Sequence, residues 1–200
     1  MAVISNGTTI IDAGALGGSV AKGAMTLLST QTASSSATIS FTSGIDSTYD
    51  SYVFKFINIH PQTDNVQFHF NVSIDSGSNY NVAKSTTFFE AAHNEGDSDA
   101  FLDYASGRDL AQGTGFQNIS QSVGNDNDQT LAGYLHIFNP SDTTFVKHFI
   151  ARTNTYYYGD ITIDLYSSGY FNETDAIDEF QFKFSTGNID AGDICLYGIA

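Results

Sequence analysis

The 200-residue chain carries 22 acidic against 7 basic side chains, a formal net charge of −15, with 41% apolar residues and one cysteine. Length and apolar content suit one ordinary domain with a sizeable core. The charge disfavours nucleic acid and anionic membrane surfaces as partners, since both are bound through clustered Lys and Arg, and a single cysteine excludes an intrachain disulfide framework and a Cys-based zinc site.

Residues 1–24 read as an extended N-terminal arm. Gly14, Gly17, Gly18 and Gly23 oppose a helix. Val3, Ile4, Ile10 and Ile11 form small apolar clusters that call for something to bury them. The segment lacks the basic start of a signal peptide, and Asn6, Gly7, Asp12 and Gly14 interrupt any apolar core. No stretch of the chain approaches the ~20 apolar residues of a membrane span, so neither a leader nor a membrane segment is expected.

From Met25 onward the period is two. Ala37, Ile39 and Phe41 alternate with polar residues, and Val66, Phe68, Phe70, Val72 and Ile74 alternate five-fold with Gln67, His69, Asn71 and Ser73. Ile161, Ile163 and Leu165 repeat the pattern, as do Phe180, Phe182 and Phe184. Such runs predict half-buried strands. Alternation is less clean in 51–59, 131–138 and 145–151, which predicts strands covered on both faces, at a sheet centre or a subunit interface. Ser43-Gly44, Asp75-Ser-Gly-Ser78, Gly124 to Asp128, Asn139-Pro140 and Thr186-Gly-Asn188 supply the turns. The one stretch that reads as helical is short, Ser98 to Tyr104. The pattern predicts an all-β fold: a jelly-roll-like antiparallel β-sandwich over residues 25–200, preceded by the arm.

Catalytic motifs are scarce. The chain has no nucleophile elbow, no phosphate-cradling Gly loop and no His-Glu-x-x-His. His60, His69, His93, His136 and His148 show no ligand spacing and read as surface or hydrogen-bonded histidines. Cys195, in a strand-like run, reads as a small core residue. The loops around Asp97 and Asp126 carry hard oxygens but do not match a calcium loop, so solvated turns are the simpler reading. Tyr156, Tyr157 and Tyr158 head a strand, where aromatics can stack on a glycan or anchor an interface. Neither a cofactor nor a metal is expected. An enzyme of hydrolase or cupin type would need His or carboxylate groups converging in one cavity.

Three stretches carry a resemblance: the arm from Val3 to Leu16, the run from Leu27 through Tyr52 to Pro61, and the ending Gly192-Asp-Ile-Cys-Leu-Tyr-Gly-Ile199. Together they resemble small virion structural proteins of tailed phages of marine bacteria, cyanobacterial phages in particular. The resemblance covers the two ends and not residues 81–128, and it transfers no site residues. It implies a non-enzymatic protein of the virion exterior, made in the host cytoplasm. Its expected role is a capsid decoration (cement) or head-surface protein that attaches to the major capsid protein or other virion proteins through its arm. The alternative is a tail-fibre or tail-tip module that binds a host surface glycan. Strands apolar on both faces suggest a homotrimer.

Overall fold

A computed structural model of the chain describes residues 2–12, 15–16 and 24–200. The described residues contain no helix and form fifteen strands in three sheets. A small antiparallel meander comes first: β1 (Val3–Ser5), β2 (Thr8–Asp12) and β3 (Ala15–Leu16). The strands that follow are β4 (Met25–Thr32), β5 (Ile39–Phe41), β6 (Ser51–Pro61), β7 (Phe68–Ser73), β8 (Lys84–Asn94) and β9 (Ala100–Tyr104). Then come β10 (Gln117–Asn118), β11 (Leu131–Phe138), β12 (Lys147–Tyr157), β13 (Ile161–Phe171), β14 (Glu179–Phe184) and β15 (Ile189–Ile199).

The larger sheet runs β4-β15-β6-β11-β12-β13-β8-β9, and the smaller β10-β7-β14-β5. Counting only β4, β5, β6, β7, β10, β11, β14 and β15 in chain order, the sheets read first-eighth-third-sixth and second-seventh-fourth-fifth. That is the strand order of a jelly roll. The hairpins β8–β9 and β12–β13 are insertions into it. They enter at different points of the chain, yet they meet in space and extend the larger sheet by four strands.

The alternating phenylalanines face inward as their period demands. Phe41, Phe54, Phe56, Phe68, Phe70, Phe180, Phe182 and Phe184 are all buried between the sheets. Phe54 lies 5.1 Å from Phe41, 4.7 Å from Phe180 and 5.1 Å from Phe182, in the edge and tilted arrangements aromatic quadrupoles favour. Beside this core, Tyr52 donates its hydroxyl to the Asp46 carbonyl at 2.7 Å and accepts the Asp46 N–H at 3.0 Å, which ties the β5–β6 connection down. Gly192 has φ of +112°, and a Cβ there would lie 2.5 Å from the Asn58 carbonyl oxygen. It occupies the bulge that shifts the β15–β6 register.

Two expectations need correction. Residues 3–12 do not run as one extended stretch: the Asn6-Gly7 turn, both residues at positive φ, folds β1 back onto β2. The rest of the predicted arm, residues 13–14 and 17–23, lies outside the described residues. Ser98 to Tyr104 is not helical, because Asn94 Oδ1 accepts the N–H groups of Ser98 and Asp99, each at 3.0 Å, and turns the chain into a hairpin. Within one chain, strand β11 is covered on its inward face. Tyr134 and Phe138, on its outward side, are exposed, as is Ile150 on β12.

Candidate binding face

The outward face of the larger sheet holds the most continuous set of exposed side chains. Register alone assembles it. Cys195 lies opposite Lys55, Lys55 opposite Tyr134, Tyr134 opposite Arg152, Arg152 opposite Tyr166, Tyr166 opposite Phe89, and Phe89 opposite Tyr104. The row crosses seven strands. Arg152 donates from Nε and Nη2 to the two carboxylate oxygens of Asp164, at 3.0 and 2.7 Å. That pairing raises the guanidinium pKa and fixes its plane. Its carbon sits 4.8 Å from the Tyr166 ring centre, and Tyr166 stacks on Phe89 at 4.8 Å with 4° between planes. This is the spacing of neighbouring strands. The rings therefore stand like books on a shelf, face against face, with their edges towards solvent.

Beside this ladder runs a shallow trough made of three depressions that share residues. The first, of Met25, Val53, Lys55 and His136, meets the second at Gly133 and Tyr134. The second, of Arg152 and Asp164, meets the third at Asn154. The third is walled by Tyr156, His93, Asn94, Glu95 and Thr162. Its polar groups are held in place. Asn154 donates to Thr162 Oγ1 at 2.9 Å, and the Tyr156 hydroxyl donates to Glu95 at 3.0 Å, a bond that pushes its phenol pKa up to about 12. The lining combines exposed aromatic rings with amide, hydroxyl and carboxylate groups, and so offers both apolar contact and hydrogen bonds to a ligand lying along it.

The three consecutive tyrosines are split by the alternation of β12. Tyr156 walls the trough, opposite Thr162. Tyr157 lies on the other face of the sheet, beside the bridge to Val123, and contacts the exposed Tyr158 at 4.3 Å between ring centres. Val3, Ile4 and Ile11 are exposed on the N-terminal meander, with Ile10 partly covered. Cys195 is buried, yet it lies at the end of the outward row beside Thr30 and not in the phenylalanine core. Among the described residues no three His, Cys, Asp or Glu side chains are grouped closely enough to hold a metal. The acidic loops use their own oxygens: Asp97 meets His93 at 3.1 Å, and the Asp126 carbonyl accepts the Gln129 N–H at 2.9 Å. The grouping of Arg152, Tyr134, Tyr166 and Phe89 is not legible in the sequence, because they come from four strands and only the register makes them neighbours. The alternation of β12 does place Arg152 outward with Ile150 and Asn154, which is the one local signal.

No family model, no curated protein and no solved structure matches the chain.

Proposed function

We propose that the chain is a non-enzymatic structural protein of a phage virion, a capsid decoration or head-surface protein anchored through its N-terminal segment. The observation that carries this reading is the β1–β3 meander. Among the described residues it pairs with neither sheet of the sandwich, and it exposes Val3 at 52% and Ile4 at 61%. Aliphatic side chains on a short three-stranded sheet, with no core of their own, suit burial against another protein. Main-chain pairing along the meander's edges would add to that contact. The sandwich is then held outward, and its charge of −15 keeps its surface soluble. The resemblance of the two chain ends to phage virion proteins points the same way.

Deletion of residues 1–24 tests the reading. The truncated protein should keep its far-ultraviolet spectrum and thermal midpoint, yet fail to join virions assembled in its presence. Truncated protein that decorates particles at normal copy number overturns it.

The trough favours a second reading, a tail-fibre or tail-tip module that binds a host surface glycan through Tyr134, Asn154 and Tyr156. Gold labelling of the protein on intact virions separates the two: label over the head supports decoration, and label confined to fibre tips supports the glycan reading.

A further inference from the structure

Strand β9 ends the larger sheet, and all five of its residues are exposed. Its register with β8 shows which of its backbone groups are free. Ala105 donates its N–H to the Phe88 carbonyl at 3.0 Å, and Asn94 donates to the Asp99 carbonyl at 3.1 Å. These bonds flank the pairs Phe89–Tyr104 and His93–Ala100. Those pairs, and Ala91–Leu102 between them, are therefore of the non-hydrogen-bonded kind. It follows that the N–H and C=O groups of Ala100, Leu102 and Tyr104 point away from β8, into the open edge. Tyr104 places both of its groups in local bonds, donating to Asp103 and accepting from the Ser106 N–H. Ala100 and Leu102 have no partner for theirs among the described residues.

Edges of this kind are ordinarily guarded by Lys, Pro or a covering loop. Strand β9 reads Ala-Phe-Leu-Asp-Tyr and has neither Lys nor Pro. Leu102 is 76% exposed, and Phe101, Tyr104 and neighbouring Phe89 are exposed with it. The strand is also compatible with itself. About a two-fold axis through Leu102, Leu102 meets Leu102, Ala100 meets Tyr104, Phe101 meets Asp103, and the flanking Asp99 meets Ala105. No acid faces an acid, which matters in a chain of charge −15.

We propose that β9 pairs antiparallel with β9 of a second copy of this chain, about a two-fold axis through Leu102, joining two eight-stranded sheets into one. The Leu102 pair exchanges both of its backbone hydrogen bonds, and the two exposed Leu102 side chains pack against each other at the junction, with each Tyr104 beside Ala100 of the other copy. The contact is isologous and closes at two copies, in place of the three-fold assembly expected from two-faced strands. The inference stands apart from where on a virion the protein sits.

Sedimentation of the full chain over the micromolar range tests it. The expected result is a dimer that tightens from low to physiological salt, because each copy carries the same net charge and salt screens that repulsion. Leu102→Pro removes the outward N–H and leaves every β8–β9 bond in place, since the Leu102 N–H is not part of that ladder. It should weaken self-association about tenfold or more with an unchanged far-ultraviolet spectrum. Leu102→Lys, which keeps the backbone intact, should also give monomer. A wild-type chain that is monomeric throughout, a dimer that survives both substitutions, a trimer, or species that lengthen without limit through the opposite edge β4 would each overturn the proposal.

Discussion

Between the two sheets of the jelly roll, Phe54, Phe70 and Phe182 meet ring to ring, whereas on the inward face of the inserted strands one transverse row reads Thr153–Leu165–Glu90. The first region is covered by a sheet whose backbone groups are already paired. The second is covered by the chain between β9 and β11, which has little regular structure and brings unpaired amides and carbonyls with it. Buried backbone groups need partners, and polar side chains on the sheet supply them. Thr153 donates to the Ile119 carbonyl at 2.6 Å, and Lys84 to the Val82 and Gly115 carbonyls at 3.0 and 2.7 Å. Thr86 accepts the Leu110 N–H at 2.8 Å and donates to Gln117, which in turn donates to the Arg108 carbonyl. Gln121 donates to the buried Glu90 carboxylate. A sheet covers a sheet through apolar area, and a loop covers a sheet through hydrogen bonds.

The largest effect that separates the regions should come from Phe182→Ala. That ring is fully buried and touches Phe41, Phe54, Phe56, Phe68 and Phe70. Its loss should lower unfolding free energy by about 3–5 kcal/mol, measured in urea with an unchanged denaturant slope.

In the polar region, Gln121→Ala should cost about 2–3 kcal/mol, because it strips the donor from a buried carboxylate. The paired substitution Glu90→Leu/Gln121→Leu should restore most of that, since two apolar groups leave nothing unpartnered. If the double variant is no better than the single one, the polar pair does more than satisfy itself.

Lys84 sharpens the comparison through pH. Burial pushes its amine down to about 7 from 10.5. Below pH 7 the amine is charged in both states and the burial penalty is complete. As pH rises from 7 towards 10.5 the folded state binds fewer protons than the unfolded one, so stability increases with pH, by at most about 1.4 kcal/mol per unit. Denaturation series from pH 7 to the onset of tyrosine ionisation should show this slope, and Lys84→Met should flatten it. His69, held down to about 4 by burial and then by Lys183 and Arg108, acts in a lower window. Stability should fall between pH 6.5 and 4 as the unfolded state takes up the proton, a loss that His69→Asn should reduce.

The smallest change belongs to the outward ladder. Phe89→Thr removes one stacked ring from a half-exposed row but keeps a residue suited to a strand, and should cost about 1 kcal/mol. A larger loss would mean that the insertions depend on the ladder as much as on their polar inner face.

The same contrast explains what could be read in advance. The alternations of β7, β13 and β14 named their inward residues correctly, because a core strand with one buried face shows it as period two. The outward side of β7 is polar in sequence, which predicts a solvent face, yet Asn71 and Ser73 are buried. Asn71 reaches the Tyr80 and Thr114 carbonyls at 2.6 and 3.0 Å, and nothing local announces a loop that crosses from so far along the chain. Lys84 and Lys147 were likewise invisible. Each would be expected at the surface, and each is instead buried with its amine on loop carbonyls, Lys147 on that of Asp175 at 2.6 Å. The candidate site was legible only at Tyr156, whereas Arg152 with Asp164 and Phe89 with Tyr166 depend on which strands become neighbours.

Sequence by itself determined the all-β class, the phenylalanine core and the position of most turns, since all three follow from spacing between residues close in the chain. It also determined the acidic character, which follows from composition. Tertiary structure alone decided that two separate hairpins join one sheet, that a transverse row of aromatic and charged side chains forms across it, and that β9 is left with an open edge. Those outcomes depend on pairing between strands tens of residues apart, where the closure of long loops and the match of whole faces choose the partner, and no local pattern records the choice.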